Sequence, residues 1–362
     1  MKRPRLGVVG IGHLGKEHAR ILSGMADVEL VGVADPQAAQ AEAVALRCGT
    51  RAFPNHAALA PLVDAVVIAV PTFAHHAVAS DFLARGVAVL VEKPLTADLA
   101  QADALVAAAE RGGALLQVGH IERFNPAFEE VQRLPLQPKY VGCERCGGFT
   151  GRSTDVGVVL DLMIHDLDLV LALVGSPVRA VEAFGAAVLG GCEDLARARL
   201  TFANGCVADL SASRVHPAPV RRMQVWAPEG FVGVDFAKRK VALTQPAEHL
   251  RQGRVDSRRL DAGTAASLKA ELFGRHLQVR ELDCNAGDQL TRELQDFVHC
   301  VRTGSRPRVD GRAGRDAVAL AARVLDSMAA HCWDGAADGP AGPGRLPAPL
   351  GPLFTSEARE AA

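Results

Sequence analysis

The sequence predicts two domains in series. Residues 1–120 read as an α/β domain on a parallel sheet covered by helices. Residues 121–333 read as an α+β domain with an open, largely antiparallel sheet. Three observations predict this. Up to Gly119, short near-continuous apolar runs alternate with helix-like stretches, as strands buried on both faces do. Beyond Val178, strand-like runs follow one another closely, joined by turn signals such as Asn204-Gly205 and Pro228-Glu229-Gly230, as in hairpins. The 362-residue length also exceeds a usual domain of about 150 residues.

Leu6–Val9 is a buried strand that runs into Gly10, Gly12 and Gly15 in G-x-G-x-x-G spacing. Leu14, His18, Ile21 and Leu22 follow at helical spacing, and a second apolar run, Val28–Ala34, ends at Asp35. Strand, glycine turn, helix, strand and acid within about thirty residues is a dinucleotide-binding pattern. Gly10 would permit the turn, Gly12 the approach of a pyrophosphate, and Gly15 the packing of helix on strand. Free N–H groups at the helix start would hold the phosphates. His13 and Leu14, inside the turn, are further cofactor contacts to expect. A carboxylate at Asp35 would accept bonds from ribose hydroxyls and repel an added phosphate, so NAD is expected ahead of NADP.

Gln37–Cys48 reads as a helix and Asp64–Val70 as a strand stopped by Pro71. His76–Arg85 is a helix ended by Gly86, and Val87–Val91 a strand stopped by Glu92-Lys93-Pro94. Ala97–Arg111 is a helix closed by Gly112 and Gly113, and Leu115–Val118 a short strand. Next come a helix at Asn125–Arg133, a strand at Lys139–Phe149 and a long helix at Val156–Val174. Strands are expected at Val178–Phe184, Ala196–Phe202, Cys206–Ser213, Arg222–Trp226, Phe231–Phe236, Arg239–Leu243 and Leu277–Leu282. Residues 246–275 read as an uneven polar loop with one helix, before closing helices at Asp288–Arg302 and Arg312–His331. Residues 334–362, rich in Gly, Pro and Ala, are expected to be a disordered or loosely attached tail.

Composition excludes several partners. Lys+Arg 40 balance Asp+Glu 41 without a basic stripe, and one Tyr and two Trp offer few stacking platforms, so no nucleic acid is expected. No apolar run reaches the roughly 18 residues of a membrane span. The first strand begins directly after the opening MKRP, so a cytoplasmic protein is expected. The eight cysteines are scattered. Cys143 and Cys146 form one CxxC, but no second pair or nearby His completes a ligand set, and no metal is expected.

Four motifs in sequence resemble the Gfo/Idh/MocA oxidoreductases. They are the glycine turn; Pro71-Thr72-x-x-His75; Glu92-Lys93-Pro94; and Asp161-x-x-x-His165. The resemblance, carried to about residue 170, implies a Rossmann-type domain followed by an open-faced α+β domain. The latter commonly makes subunit contacts through its sheet, so a homodimer or homotetramer is expected. It implies an NAD(P)-dependent dehydrogenase passing hydride between nicotinamide and a hydroxyl-bearing carbon of a sugar, cyclitol or nucleotide sugar. It places Pro71, Thr72, His75, Glu92 and Lys93 at the cofactor, and Lys93, Asp161 and His165 at the chemistry.

Residue chemistry agrees. Loss of hydride from an alcohol carbon is coupled to loss of the hydroxyl proton, and His is the usual base. Asp161 and His165, four apart, share a helical face and let the carboxylate orient the imidazole. Lys93 ends a strand, where its ammonium would polarise the substrate oxygen. Arg123 and Asn125, in the polar run from His120, would suit hydroxyls or a phosphate and join Lys93 and His165 as substrate contacts. Asp166 and Asp168 follow His165, and one of them would be a salt-bridge partner. Many family members carry Gly between the Asp and His. Met163 stands there, which suggests altered packing near the sugar. The runs VGHIERFNPA and DVGVVLDLMIHDLDL are most similar to the branch that oxidises C3 of UDP-N-acetylglucosamine. The alternatives are another sugar or inositol-type dehydrogenase, and a non-catalytic NAD-sensing regulator on the same fold.

Overall fold

The computed structural model describes residues 3–151, 155–189, 191–253, 256, 258–284, 287–333 and 339–344. The first part alternates β1 (Arg5–Val9), α1 (His13–Gly24), β2 (Glu29–Ala34), α2 (Ala38–Cys48), β3 (Arg51–Phe53), α3 (His56–Leu59), β4 (Ala65–Ile68), α4 (Thr72–Leu83), β5 (Ala88–Glu92), α5 (Leu99–Gly112) and β6 (Leu116–Gly119). These strands form one parallel sheet in the order β3-β2-β1-β4-β5-β6. The order reverses between β1 and β4, so the carboxyl ends of those strands open a crevice. β4 and β5 are buried along their whole length, which is why they read as unbroken apolar runs. β3 escapes sequence reading, because a half-exposed edge strand of 3 residues has no usable period.

The second part begins with a 3-10 turn at Ile121–Phe124 and α6 (Pro126–Arg133), then β7 (Tyr140–Cys146). A π-helical segment, Val159–Met163, leads into α7 (Ile164–Val174). Then come β8 (Val178–Ala186), β9 (Leu195–Phe202), β10 (Val207–Ser213), β11 (Val220–Ala227), β12 (Gly230–Asp235), β13 (Lys240–Pro246), α8 (Glu248–Arg251), α9 (Ala262–Glu271) and β14 (Leu277–Leu282). α10 (Gln289–Thr303) and α11 (Gly311–Ala329) close the chain. The sheet order is β14-β13-β12-β11-β7-β10-β9-β8. It is antiparallel except where β7, the first strand to enter, lies parallel to β10. Ala196, Ala198, Leu200 and Phe202 on β9, with Ala208, Leu210 and Ala212 on β10, are buried on one face. The opposite face leaves Trp226 54% and Phe184 41% exposed.

The two parts are joined by the end of the chain. Leu290, Leu294, Phe297 and Val298 of α10 lie in one apolar cluster with Leu6, Val8 and Ile11 of the first part. A Cβ at Gly314 on α11 would come within 2.4 Å of Val118, and one at Gly311 within 2.6 Å of Leu116. The chain therefore returns, and its closing helices cover the parallel sheet. Most of 334–362 lies outside the described residues, but 339–344 are tied down. Trp333 Nε1 donates to the Gly342 carbonyl at 2.8 Å, and the Ala187 amide donates to that of Pro343 at 2.8 Å. Among the described residues all cysteines are free, none of the His, Cys, Asp and Glu groups forms a metal cluster, and no helix is long and apolar enough to cross a membrane.

α10 also carries Glu293 into the interior, where neither carboxyl oxygen has a hydrogen-bond partner. Burial, then the charges of Glu92 and Asp296, holds this carboxyl well above the usual range. The folded state thus keeps a proton that the unfolded chain loses above its ordinary pKa, so this group makes stability fall as pH rises. Glu293→Gln should therefore melt above the wild type at pH 8, by about 2–4 °C per kcal/mol regained. The gap should close towards pH 4, as read by calorimetry.

Candidate active site

The expected cofactor residues gather at the carboxyl edge of the parallel sheet. Gly10 takes φ +84°, and a Cβ there would lie 2.7 Å from the backbone of Ala69 and Val70. A Cβ at Gly15 would lie 1.8 Å from the Gly10 carbonyl oxygen, so only glycine lets α1 sit this close to the turn. At Gly12 a Cβ would meet nothing within 4 Å. Gly12, His13 and Leu14 are exposed, and no side chain caps the start of α1. That free helix start and open approach fit a dinucleotide pyrophosphate. Asp35 closes β2 with Oδ2 accepting the Ile11 N–H at 2.8 Å and Oδ1 the Gln37 N–H at 2.9 Å. These two bonds aim the carboxylate at the crevice side of the glycine turn.

Two of the expected cofactor residues, His75 and Glu92, are buried and hold the backbone around Lys93. His75, 1% exposed, has Nδ1 2.8 Å from the Pro94 carbonyl oxygen and Nε2 2.9 Å from that of Val70. It ties the start of α4, with Pro71 and the buried Thr72, to the Lys93–Pro94 peptide, which is cis. Glu92 is 7% exposed. Its Oε1 lies 2.6 Å from Nε2 of the buried His18, and its Oε2 accepts the Lys93 N–H at 3.3 Å. Burial raises this carboxyl, but the hydrogen bond from His18 and the charge of Lys93 outweigh it and hold it below the usual range.

Lys93 reaches across to the second part of the chain. Its Nζ donates to the Asp161 carbonyl at 2.7 Å and to Asp161 Oδ1 at 2.9 Å. Both side chains keep a little exposure, 15% and 19%. Asp161 lies in the π-helical turn, and His165 follows at the start of α7. The wider π turn brings residues four and five apart onto one side, and such turns recur at functional sites. His165 is part-buried, and its Nδ1 is sealed from solvent without a partner. Burial, then the charges of Lys93 and Arg145, pushes this imidazole well below the ordinary histidine range. A neutral imidazole beside an ammonium can take a proton while the ammonium steadies an oxyanion. Met163 is fully buried in the apolar core, so the packing change expected there is not at the cleft.

The polar run after His120 is corrected in part. Asn125 is 2% exposed: its Nδ2 donates to Glu122 at 2.9 Å and its Oδ1 accepts the Ala127 N–H at 3.1 Å. It caps α6. Arg123 donates from Nε to Asp168 at 2.8 Å and keeps 12% of its side chain exposed. Sequence reading missed Arg145, inside the CxxC. Its buried guanidinium donates to Asp166 Oδ1 at 2.8 Å and to Glu122 Oε1 at 2.8 Å. No local pattern marks it, since both partners lie about twenty residues away in the chain. His120 was likewise read only as the start of a polar run. It is fully buried, its ring edge-on to His165 at 6.4 Å between centroids, and burial lowers its basicity.

Comparison with known proteins accords with this arrangement. Residues 4–120 match the GFO/IDH/MocA oxidoreductase family, NAD-binding Rossmann fold, and residues 138–232 match the GFO/IDH/MocA C-terminal domain. A UDP-N-acetylglucosamine 3-dehydrogenase of Acidithiobacillus ferrooxidans is 37% identical over 321 residues, 88% of this chain and 96% of that one. This chain belongs to the Gfo/Idh/MocA oxidoreductases. Its first domain is therefore an NAD-binding Rossmann domain. A solved structure of the Acidithiobacillus dehydrogenase superposes with TM-score 0.80 at 36% identity, covering 91% of this chain and 98% of the other. A scyllo-inositol 2-dehydrogenase (NAD(+)) of Bacillus subtilis is 29% identical, covering 84% of this chain and 88% of that one.

Gly12→Ala should leave the melting temperature unchanged yet weaken NAD binding at least ~10-fold, because the new methyl stands where the phosphates approach. Gly15→Ala should lower the melting temperature as well; calorimetry and NAD titration separate the two. Arg145→Met should cost about 3–5 kcal/mol in urea unfolding, because Asp166 and Glu122 stay buried without their counter-charge.

Proposed function

We propose that this chain oxidises a secondary alcohol of a nucleotide sugar with NAD, the substrate being UDP-N-acetylglucosamine and the carbon C3. The observation that carries the reaction type is the Lys93–Asp161 pair beside a neutral His165 at the mouth of the NAD crevice. The substrate rests on the 37% identity to a UDP-N-acetylglucosamine 3-dehydrogenase over nearly the full length of both chains.

NAD, when bound, accepts the hydride. The protein supplies the rest. The Lys93 ammonium, steered by Asp161, donates a hydrogen bond to the reacting oxygen. His165 Nε2 takes the hydroxyl proton as the carbon–oxygen bond gains double-bond character, and later passes it to solvent. The balance is one alcohol and NAD⁺ giving one ketone, NADH and a proton. The low basicity of His165 keeps it neutral and ready at neutral pH. Arg123, with part of its guanidinium exposed, is the remaining candidate for a substrate hydroxyl or phosphate. The uncovered face of the second sheet, with Phe184 and Trp226 partly exposed, is where a second copy would pair.

NADH formation at 340 nm with UDP-N-acetylglucosamine, beside free sugars and inositol, tests this, with an aminotransferase drawing off the ketone. Turnover of inositol alone would replace the substrate, and no turnover of any polyol would leave a non-catalytic NAD-binding protein. His165→Asn should reduce kcat by roughly 10²–10⁴-fold with NAD affinity nearly unchanged. The acid limb of wild-type kcat/KM should lie below about pH 6.5, the ordinary histidine value, because the base is lost only when His165 is protonated.

A further inference from the structure

We propose that His18 is a positioning residue: bonded to Glu92 beneath the active-site turn, it holds the Glu92–Pro94 segment so that the Lys93 ammonium stays on Asp161. This rests on the dehydrogenase reading. His18 sits on the inward side of α1, among apolar neighbours, where helical spacing alone asks for another apolar residue. Its ring is wholly buried and places Nε2 2.6 Å from Glu92 Oε1. Its Nδ1 is also buried and has no partner. The proton therefore belongs on Nε2, donated to the carboxylate.

The Glu92 carboxylate is clamped on several sides. One oxygen takes the His18 bond and the other takes the Lys93 N–H. Gly119, on the neighbouring strand, lies so close that a Cβ there would be 2.9 Å from Glu92 Oε2. Glu293 faces the same cluster from α10 with both carboxyl oxygens unpartnered. Of the two buried acids, Glu92 carries the charge and the hydrogen bonds, and Glu293 stays neutral. Without the His18 ring, the Glu92 charge would stay buried with only the weak Lys93 N–H to answer it. The turn then shifts or the acid takes up a proton, and either change moves the root of Lys93.

The bond also joins two working parts. The same α1 whose start faces the cofactor's phosphates carries His18 six residues after Gly12. The chain of bonds His18–Glu92–Lys93–Asp161 runs from that helix, through the end of β5, to the π turn. An apolar side chain of equal size at position 18 would fill the space but leave the chain open.

The test uses the full chain with His18→Leu and His18→Gln. Lys93 reactivity is read by trace acetylation and mass spectrometry, relative to the exposed Lys238. Leu should raise Lys93 labelling several-fold, and Gln, which keeps a donor, should return it towards wild type. With NAD and UDP-N-acetylglucosamine, Leu should lower kcat on the order of 10²-fold while KM and NADH affinity stay close to wild type, and Gln should restore most of it. Unchanged Lys93 labelling in folded His18→Leu, or Gln as damaging as Leu, overturns the proposal. Should His18→Leu fail to fold, Glu92→Gln replaces it; unchanged Lys93 labelling there also overturns it. If wild type oxidises no polyol, the dehydrogenase reading fails while the labelling still decides what His18 does.

Discussion

The bond from Lys93 Nζ to Asp161 is the joint of this structure. Lys93 belongs to the parallel sheet and Asp161 to the helix under the antiparallel one. Each sheet would be stable in kind without the other. A site that pairs a nicotinamide with a proton acceptor needs both, because no single element carries the two. α10 and α11 strengthen the joint by returning to cover the first sheet. The orientation of the two halves therefore rests on apolar burial, and the Lys93–Asp161 contact inherits its geometry from that packing.

Behind the joint, charge is handled in two ways. Arg145, Glu122 and Asp166 form a buried ion cluster in which every member has a geometric partner. Such clusters add little net stability but are costly to break, and this one anchors the start of α7 beside His165. The imidazoles of His120 and His165 are instead held uncharged by burial. The result is a largely buried pocket in which the Lys93 ammonium, paired with Asp161, keeps a little exposure. An oxygen gaining negative charge there is stabilised more than it would be in water.

Much of the fold was legible because its signals are local. Leu6–Asp35 carries strand, turn, helix and acid in adjacent residues, and the structure places each as read. The hairpins around Asn204-Gly205 and Pro228–Gly230 were legible for the same reason. β3 was not, since three half-exposed residues have no period. The π turn was not either: the spacing of Asp161 and His165 suggests a carboxylate that orients the imidazole, whereas in the structure Asp161 takes the Lys93 ammonium and His165 Nδ1 has no partner. The cap that Asn125 gives α6 was not legible, because a polar residue at a domain junction and a helix cap look alike until the neighbours are known.

The sequence by itself shows the NAD-binding turn and most of the order of the elements, and it puts forward Lys93, Asp161 and His165 for the chemistry. These depend on residue types at short, regular spacings, which backbone geometry translates directly. Only the tertiary structure decided which polar residues face the cleft and which are locked behind it. His75, Glu92 and Asn125 lie in runs that point to a site, while His18 and Arg145 lie in none. Burial and pairing tie all five into the surrounding structure, His18, Glu92 and Arg145 through partners in distant segments, which short-range pattern does not encode.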